Sequence, residues 1–190
     1  KVLRPGAGDR HTLRRFEAER QLLASLNHSA ITQIFDAGHL PDGRPYFVME
    51  YVDGQPITVY CERKHLTCAQ RLRLFVDLCR GIEHAHARGI VHRDLKPGNV
   101  LVVDGVPGPQ PKIIDFGIAK ALDAPAADEL VGHGSTDPGR VIGTPGYMSP
   151  EQAEMTALGV DTRTDIYSLG VLLYELLVGS LPFDLETLRK

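Results

Sequence analysis

Cysteine is scarce in this chain of 190 residues: Cys61, Cys68 and Cys79 are the only three, and none stands in a CxxC pair. An odd count without close spacing argues against a disulfide framework and fits a reducing compartment. Charge of one sign is not in excess either. A net charge of −3 and a pI near 6.2 give no bulk attraction to nucleic acid or anionic membrane. No run of about 18 apolar residues occurs, so no segment reads as a membrane span. Neither a signal peptide nor an internal repeat is visible. The eight histidines suggest no metal site, since His84 and His86, two apart on a predicted helix, face different directions. At 43% apolar and 24% charged, the length reads as one globular domain or a part of a larger one. The first residue is Lys1, not Met, which reads as an excised segment whose parent could carry an anchor beyond either end.

Local signals give the order strand, helix, hairpin, then a helical region with a small sheet insert. Lys1, Val2 and Leu3 read as the end of a strand, and Pro5-Gly6-Ala7-Gly8 breaks regular structure. Phe16, Leu23 and Leu26 recur at helical spacing across 12–26. Residues 31–37 and 44–51 read as two strands, and Pro41-Asp42-Gly43 between them has hairpin-turn chemistry. Asp53-Gly54-Gln55-Pro56 closes that region. The 67–88 stretch predicts a helix with Leu72, Val76, Cys79, Ile82 and His86 on one face and Gly89 as its stop. Strands are expected at 100–103 and 112–114, around a Gly- and Pro-rich loop at 104–111. Residues 118–146 have little periodicity, as a long functional or disordered loop would. A second long helix over 161–178, apolar through Ile166, Leu169, Leu172, Leu173, Leu176 and Leu177, is expected at the centre of a core.

Two strings decide the functional reading. His92-Arg93-Asp94-Leu95-Lys96-Pro97-Gly98-Asn99 is followed, sixteen residues after Asn99, by Asp115-Phe116-Gly117. Further on stand Gly143-Thr144-Pro145-Gly146-Tyr147-Met148-Ser149-Pro150-Glu151 and Asp165-Ile166-Tyr167-Ser168-Leu169-Gly170. One loop Asp or Lys means little, because such residues are usually just solvated. In this order, with every reactive letter present, the strings match protein-kinase signatures. From its first residue to about Phe183 the chain resembles a eukaryotic-type serine/threonine protein kinase catalytic domain, of bacterial-like texture and truncated at both ends. The resemblance implies an α+β, two-lobe protein-kinase-like fold. A partial N-terminal lobe and hinge would cover 1–52, a partial C-terminal lobe 53–190, and an activation segment 115–151.

It also implies roles. Asp94 resembles the base that accepts and orients the substrate hydroxyl, and Lys96 the cation that neutralises charge developing on the γ-phosphate. Asn99 and Asp115 would hold Mg²⁺, which suits hard oxygen ligands and needs few protein contacts. Lys1 resembles the strand lysine that grips the α- and β-phosphates and pairs with a helix glutamate. Glu19 is the expected partner; its neighbour Glu17 points about 200° away around the helix. The 46–52 stretch resembles the strand leading to the hinge, with Met49 behind the adenine, the backbone of Glu50 and Val52 on its edge, Asp53 near the ribose and Leu101 beneath the ring. Thr144 together with Lys96 favours Ser or Thr over Tyr as acceptor. Asp165 resembles the helix aspartate that ties down the loop backbone; an ordinary helix-start acid is the alternative. Arg93 would meet a phosphate on Ser135 or Thr136 and so order 118–146. His92, Phe116, Gly117 and Glu151 complete the structural and regulatory set.

The implied substrates are ATP and proteins with Ser or Thr acceptors, with Mg²⁺ as cofactor, and autophosphorylation and a homodimer fit the same reading. The expected location is the cytoplasm, with no nucleic-acid partner and no membrane span in this segment. Two family parts are missing: no Gly-rich loop precedes Lys1, and the last large-lobe helices do not follow Leu181-Pro182-Phe183, so Glu151 lacks its usual downstream arginine. Gly98 replaces a more common polar residue at a position without a reactive group. The alternative function is a non-catalytic ATP-binding scaffold, against which the intact reactive residues speak. A small-molecule kinase is a third reading, and the 143–151 string argues against it because it resembles a segment that docks protein substrates.

Overall fold

Two antiparallel sheets are joined through the short stretch 28–32. The structure, a computed structural model, describes residues 1–2, 22–116, 145–153 and 161–183. Strands β1 (Ile34–His39) and β2 (Pro45–Met49) form the hairpin. Gly43 takes a φ of +83°, which glycine adopts without a Cβ clash, and its N–H donates to the Leu40 carbonyl at 2.8 Å to close the turn. The first strand starts later than the apolar pattern predicts because 31–32 serve the other sheet. Ile31 bridges Ile113 in parallel, and Thr32 N–H donates to the Ile113 carbonyl at 3.0 Å. On the other side of β2 from β1, Val2 bridges Tyr46 and Phe47 N–H donates to the Lys1 carbonyl at 2.9 Å.

The second sheet has the order β3 (Gln55–Pro56), β4 (Val100–Val103), β5 (Gln110–Ile113). The pattern gives no hint of β3, since Pro56 has no N–H to donate, and the strand accordingly sits at the edge. Close approach explains Gly54: a Cβ there would lie 2.9 Å from the Val102 carbonyl oxygen. Strand β5 begins two residues before the predicted 112–114 segment.

Helices α1 (Ile57–Arg63) and α2 (Cys68–His86) follow the hairpin, and α3 (Pro150–Ala153) and α4 (Thr162–Val178) lie downstream. A capping box starts α2: Gln70 N–H donates to Thr67 Oγ1 at 3.4 Å and Thr67 N–H to Gln70 Oε1 at 2.8 Å. Beyond its end the chain turns at left-handed Gly89 (φ +73°), across which Ile90 N–H reaches the Ala85 carbonyl at 3.0 Å. The inward face matches the predicted one in part: Ile82 is buried and Cys79 packs against the core, but the face is turned from the predicted stripe. Leu74, Leu78, Ile82 and Ala85 are buried, whereas Leu72 and Val76 are exposed. Both stripes are apolar at helical spacing, and Gly81 selects between them. A Cβ at Gly81 would stand 2.8 Å from Ile113 Cδ1 and 3.2 Å from Ala30 Cβ, so α2 packs on β5 through this stripe.

Helix α4 is capped by Asp161, whose carboxylate accepts the Arg163 N–H at 2.8 Å, and by left-handed Gly179. Leu169, Leu172 and Leu176 are core residues as expected, but Ile166 and Leu177 are exposed. Thr164, Asp165 and Ser168 are buried on α4 instead. That helix therefore presents a partly polar face inward. Arg71 of α2 crosses to α4, its Nη1 donating to the Leu176 carbonyl at 2.7 Å. Among the described residues no helix is long and apolar enough to cross a membrane. Most of the predicted 12–26 helix and of the 118–146 loop lies outside the described residues.

Candidate active site

The loop 92–99 is held from below by buried groups. Leu95, 1% exposed, inserts into the core, and this turns its neighbours Asp94 and Lys96 away from it. Asp165, fully buried, accepts three hydrogen bonds: from His92 N–H at 2.8 Å, from Arg93 N–H at 2.8 Å and from His86 Nε2 at 2.7 Å. Charge-assisted bonds of this kind, about 1.5–3 kcal/mol each, offset the cost of burying the carboxylate. Asp161 caps α4, and Asp165 is the acid of its first turn, where it also ties down the loop backbone.

Geometry fixes the tautomer of His92. Its Nε2 faces the Ile114 carbonyl at 3.0 Å and must donate, while Nδ1 accepts the Asp94 N–H at 3.3 Å. Burial pushes its pKa below the ordinary histidine value, against the opposing pull of Asp165, the Ile114 carbonyl, Asp94 and Asp115. A neutral ring thus joins the 92–99 loop to the segment carrying Asp115. The buried Phe116 ring packs on it at 4.8 Å between centroids. Arg93 and Asp115 both take left-handed backbone conformations, φ +66° and +57°. Each costs about 1–3 kcal/mol in a residue with a Cβ, and such strain gathers at functional sites.

Asp94 stands between a cation and an amide. Lys96 Nζ is 2.9 Å from its carboxylate, and Asn99 Nδ2 donates to its carbonyl at 2.7 Å and its carboxylate at 3.0 Å. With its NH₂ committed to Asp94, the Asn99 amide has its oxygen left for a hard cation. Ile114 N–H donates to the Asn99 carbonyl at 2.9 Å, so the segments bearing Asn99 and Asp115 are adjacent. Lys1 Nζ contacts Asp115 Oδ1 at 2.7 Å. Two oxygen donors suit Mg²⁺, which keeps most of its waters. Among the described residues no cluster of three His, Cys, Asp or Glu could hold a softer or more fully ligated metal.

A cleft of about 660 Å³ opens beside this pair, lined by Lys1, Val2, Met49, Glu50, Tyr51, Val52, Leu101, Ile114 and Asp115 among others. Asp53 is exposed and is not among the lining residues. Glu50 N–H donates to the Gln33 carbonyl at 2.8 Å, so any ligand contact by its backbone falls to the carbonyl. The Glu50 side chain meets Lys112 Nζ at 2.9 Å and accepts Gln33 N–H at 3.2 Å. Burial pushes the Glu50 carboxyl up, but Lys112 and the Gln33 N–H outweigh it and hold the pKa below the usual value.

Glu151 accepts a hydrogen bond from Thr164 Oγ1 at 2.8 Å. Glu19, Gly117, Ser135, Thr136 and Thr144 lie outside the described residues. Three contributors escaped sequence reasoning: His86, Lys112 and Gln152. His86 was read as part of an apolar face; its position in the last turn of α2, just before the glycine stop, was the available signal. Nothing in the spacing marks Lys112 or Gln152.

Comparison with known proteins agrees on one family. The family described as protein kinase domain matches residues 1–190. Serine/threonine-protein kinase Pkn1 of Myxococcus xanthus is 41% identical over 177 residues, 93% of this chain and 24% of the relative. Serine/threonine-protein kinase PknB of Mycolicibacterium smegmatis is 42% identical over 188 residues, 96% of this chain and 28% of the relative. The crystal structure of the Mycobacterium tuberculosis PknI kinase domain superposes with a TM-score of 0.67 at 29% identity, covering 97% of this chain and 64% of that one. The chain spans about a quarter of the length of these curated relatives.

Proposed function

Since the chain belongs to the protein kinase domain family and has part of its two-lobe α+β fold, we propose that it is the catalytic segment of an ATP-dependent serine/threonine protein kinase. The reaction moves the γ-phosphoryl group of ATP to a Ser or Thr hydroxyl of a protein substrate. The observation that carries this reading is the Asp94–Lys96–Asn99 cluster, held beside Asp115 by hydrogen bonds. Phosphoryl transfer depends mostly on positioning and charge stabilisation, and a pre-ordered cluster supplies both.

In this scheme the adenine of ATP occupies the apolar cleft against Leu101 and Met49, with the Glu50 carbonyl and the Val52 backbone on its edge. Lys1 grips the α- and β-phosphates. Asp94 accepts the hydroxyl proton and aims the oxygen, and Lys96 neutralises charge on the transferred group. Asn99 and Asp115 would hold Mg²⁺, which would supply positive charge against the phosphates during transfer. Residues 1–52 act as the small-lobe part and hinge, 53–190 as the large-lobe part, and 115–151 as the activation segment. Arg93 receives a phosphate on Ser135 or Thr136, placed there by autophosphorylation. The segment works in the cytoplasm, where ATP is available.

The test is Asp94→Asn in the full-length protein. Phosphate transfer should fall about 10³-fold while ATP affinity stays within a few fold. Undiminished transfer would remove Asp94 from the reaction, and ATP binding without transfer in the unaltered protein would favour a scaffold.

A further inference from the structure

Gln152 of α3 reaches back to the 92–99 loop. Its Nε2 donates to the Arg93 carbonyl at 2.8 Å. Its Oε1 accepts from Ser149, from the N–H at 3.2 Å and from Oγ at 3.4 Å. Ser149 is fully buried, and its Oγ lies 3.5 Å from Thr164 Oγ1 on α4. The glutamine is thus gripped on one side by the packed 145–153 segment and grips the loop on the other.

What it grips is strained. Arg93 is left-handed, a state that a residue with a Cβ keeps only when its surroundings impose it. Both polar groups of its backbone are taken by side chains from distant elements, the N–H by Asp165 at 2.8 Å and the carbonyl by Gln152. Asp94 is the next residue, joined to that same carbonyl by a planar peptide. Rotation of the Arg93 carbonyl would swing the Asp94 carboxylate.

We propose that Gln152 is a positioning residue for phosphoryl transfer, coupling the seating of the 145–153 segment to the aim of Asp94. The inference rests on the kinase reading above. That segment carries the string resembling a protein-substrate docking element, so Gln152 makes the acceptor side of the site and its base interdependent. The nucleotide side is separate, because neither Gln152 nor Arg93 lines the cleft.

Two variants of the full-length protein test this. Gln152→Leu keeps the bulk and removes the donor. Gln152→Glu keeps an acceptor for Ser149 but sets an oxygen against the Arg93 carbonyl. In both, kcat should fall roughly tenfold, as expected for an unpaired carbonyl at a strained site, with KM for ATP within about twofold. Hydrogen exchange across 91–96 should accelerate while the rest of the chain keeps its protection. Unchanged kcat and exchange in both variants overturn the role. So does a uniform loss of protection together with ATP affinity, which would mean a general structural part. A wild type that transfers no phosphate overturns the kinase reading and this role together, whereas wild-type transfer with undiminished variants overturns this role alone.

Discussion

Around the 92–99 loop, polar groups are buried and paired; in the cleft beside it, the walls are mostly apolar side chains. Asp165, 0% exposed, fixes two backbone N–H groups and a histidine, and His92, equally buried, ties the loop to the Asp115 segment. The cleft relies on residues such as Leu101, Met49 and Val52, with two ion pairs, Glu50–Lys112 and Lys1–Asp115, at its edge. The difference fits the division of labour proposed above. Chemistry needs fixed directions, and hydrogen bonds in a dry interior supply them. Holding a flat ring needs area more than direction, so side chains there can be exchanged at lower cost.

The sharpest way to break this contrast is at Asp165. Asp165→Ala would strand the N–H groups of His92 and Arg93, and stability should fall by about 3–5 kcal/mol in chemical denaturation. A loss below 1 kcal/mol would mean that the loop holds itself. Next comes the core beneath both regions. Leu78→Ala should cost about 3 kcal/mol, whereas Leu72→Ala on the exposed stripe should stay within about 0.5 kcal/mol. Equal losses would reverse the assigned face of α2.

Acid sharpens the comparison. His92 is neutral and its native pKa lies below the ordinary 6.5, so the unfolded chain takes up the proton first. Its contribution is complete above that pH and is lost as pH falls from 6.5 toward the lower native value. The fall in stability between pH 7 and 5.5 should therefore be shallower in His92→Asn than in the unaltered chain. The smallest effect belongs to the cleft. Leu101→Ala should weaken ATP binding by about 1 kcal/mol, read by calorimetric titration, and leave the melting temperature nearly unchanged. A collapse of stability there would make the cleft wall part of the core.

Much of the candidate site's geometry was legible because its residues fall in two short strings that resemble kinase signatures, the first of which brings Asp94, Lys96 and Asn99 together. Partners far apart in sequence were less visible. Asp165 was found through a motif, but His86, 79 residues from it, and Gln152, 59 residues from Arg93, carry no local sign of the bond they make. On α2 the spacing places Ile82 and Cys79 correctly but not Leu72 and Val76, which recur as regularly as the buried Leu74 and Leu78. The close packing of Gly81 against Ile113 marks the stripe that turns inward. Likewise the apolar run at 31–37 hides a division of labour, with Ile31 pairing in one sheet and Ile34 opening a strand of the other.

The most direct measurement is phosphate incorporation by mass spectrometry, on the full-length protein with Mg²⁺ and ATP, beside its Asp94→Asn variant. Phosphate on Ser or Thr of the unaltered protein or an added protein substrate, and none with the variant, is the expected result. Equal phosphate in both, or no ATP bound to either, would contradict the assignment of this cluster to phosphoryl transfer.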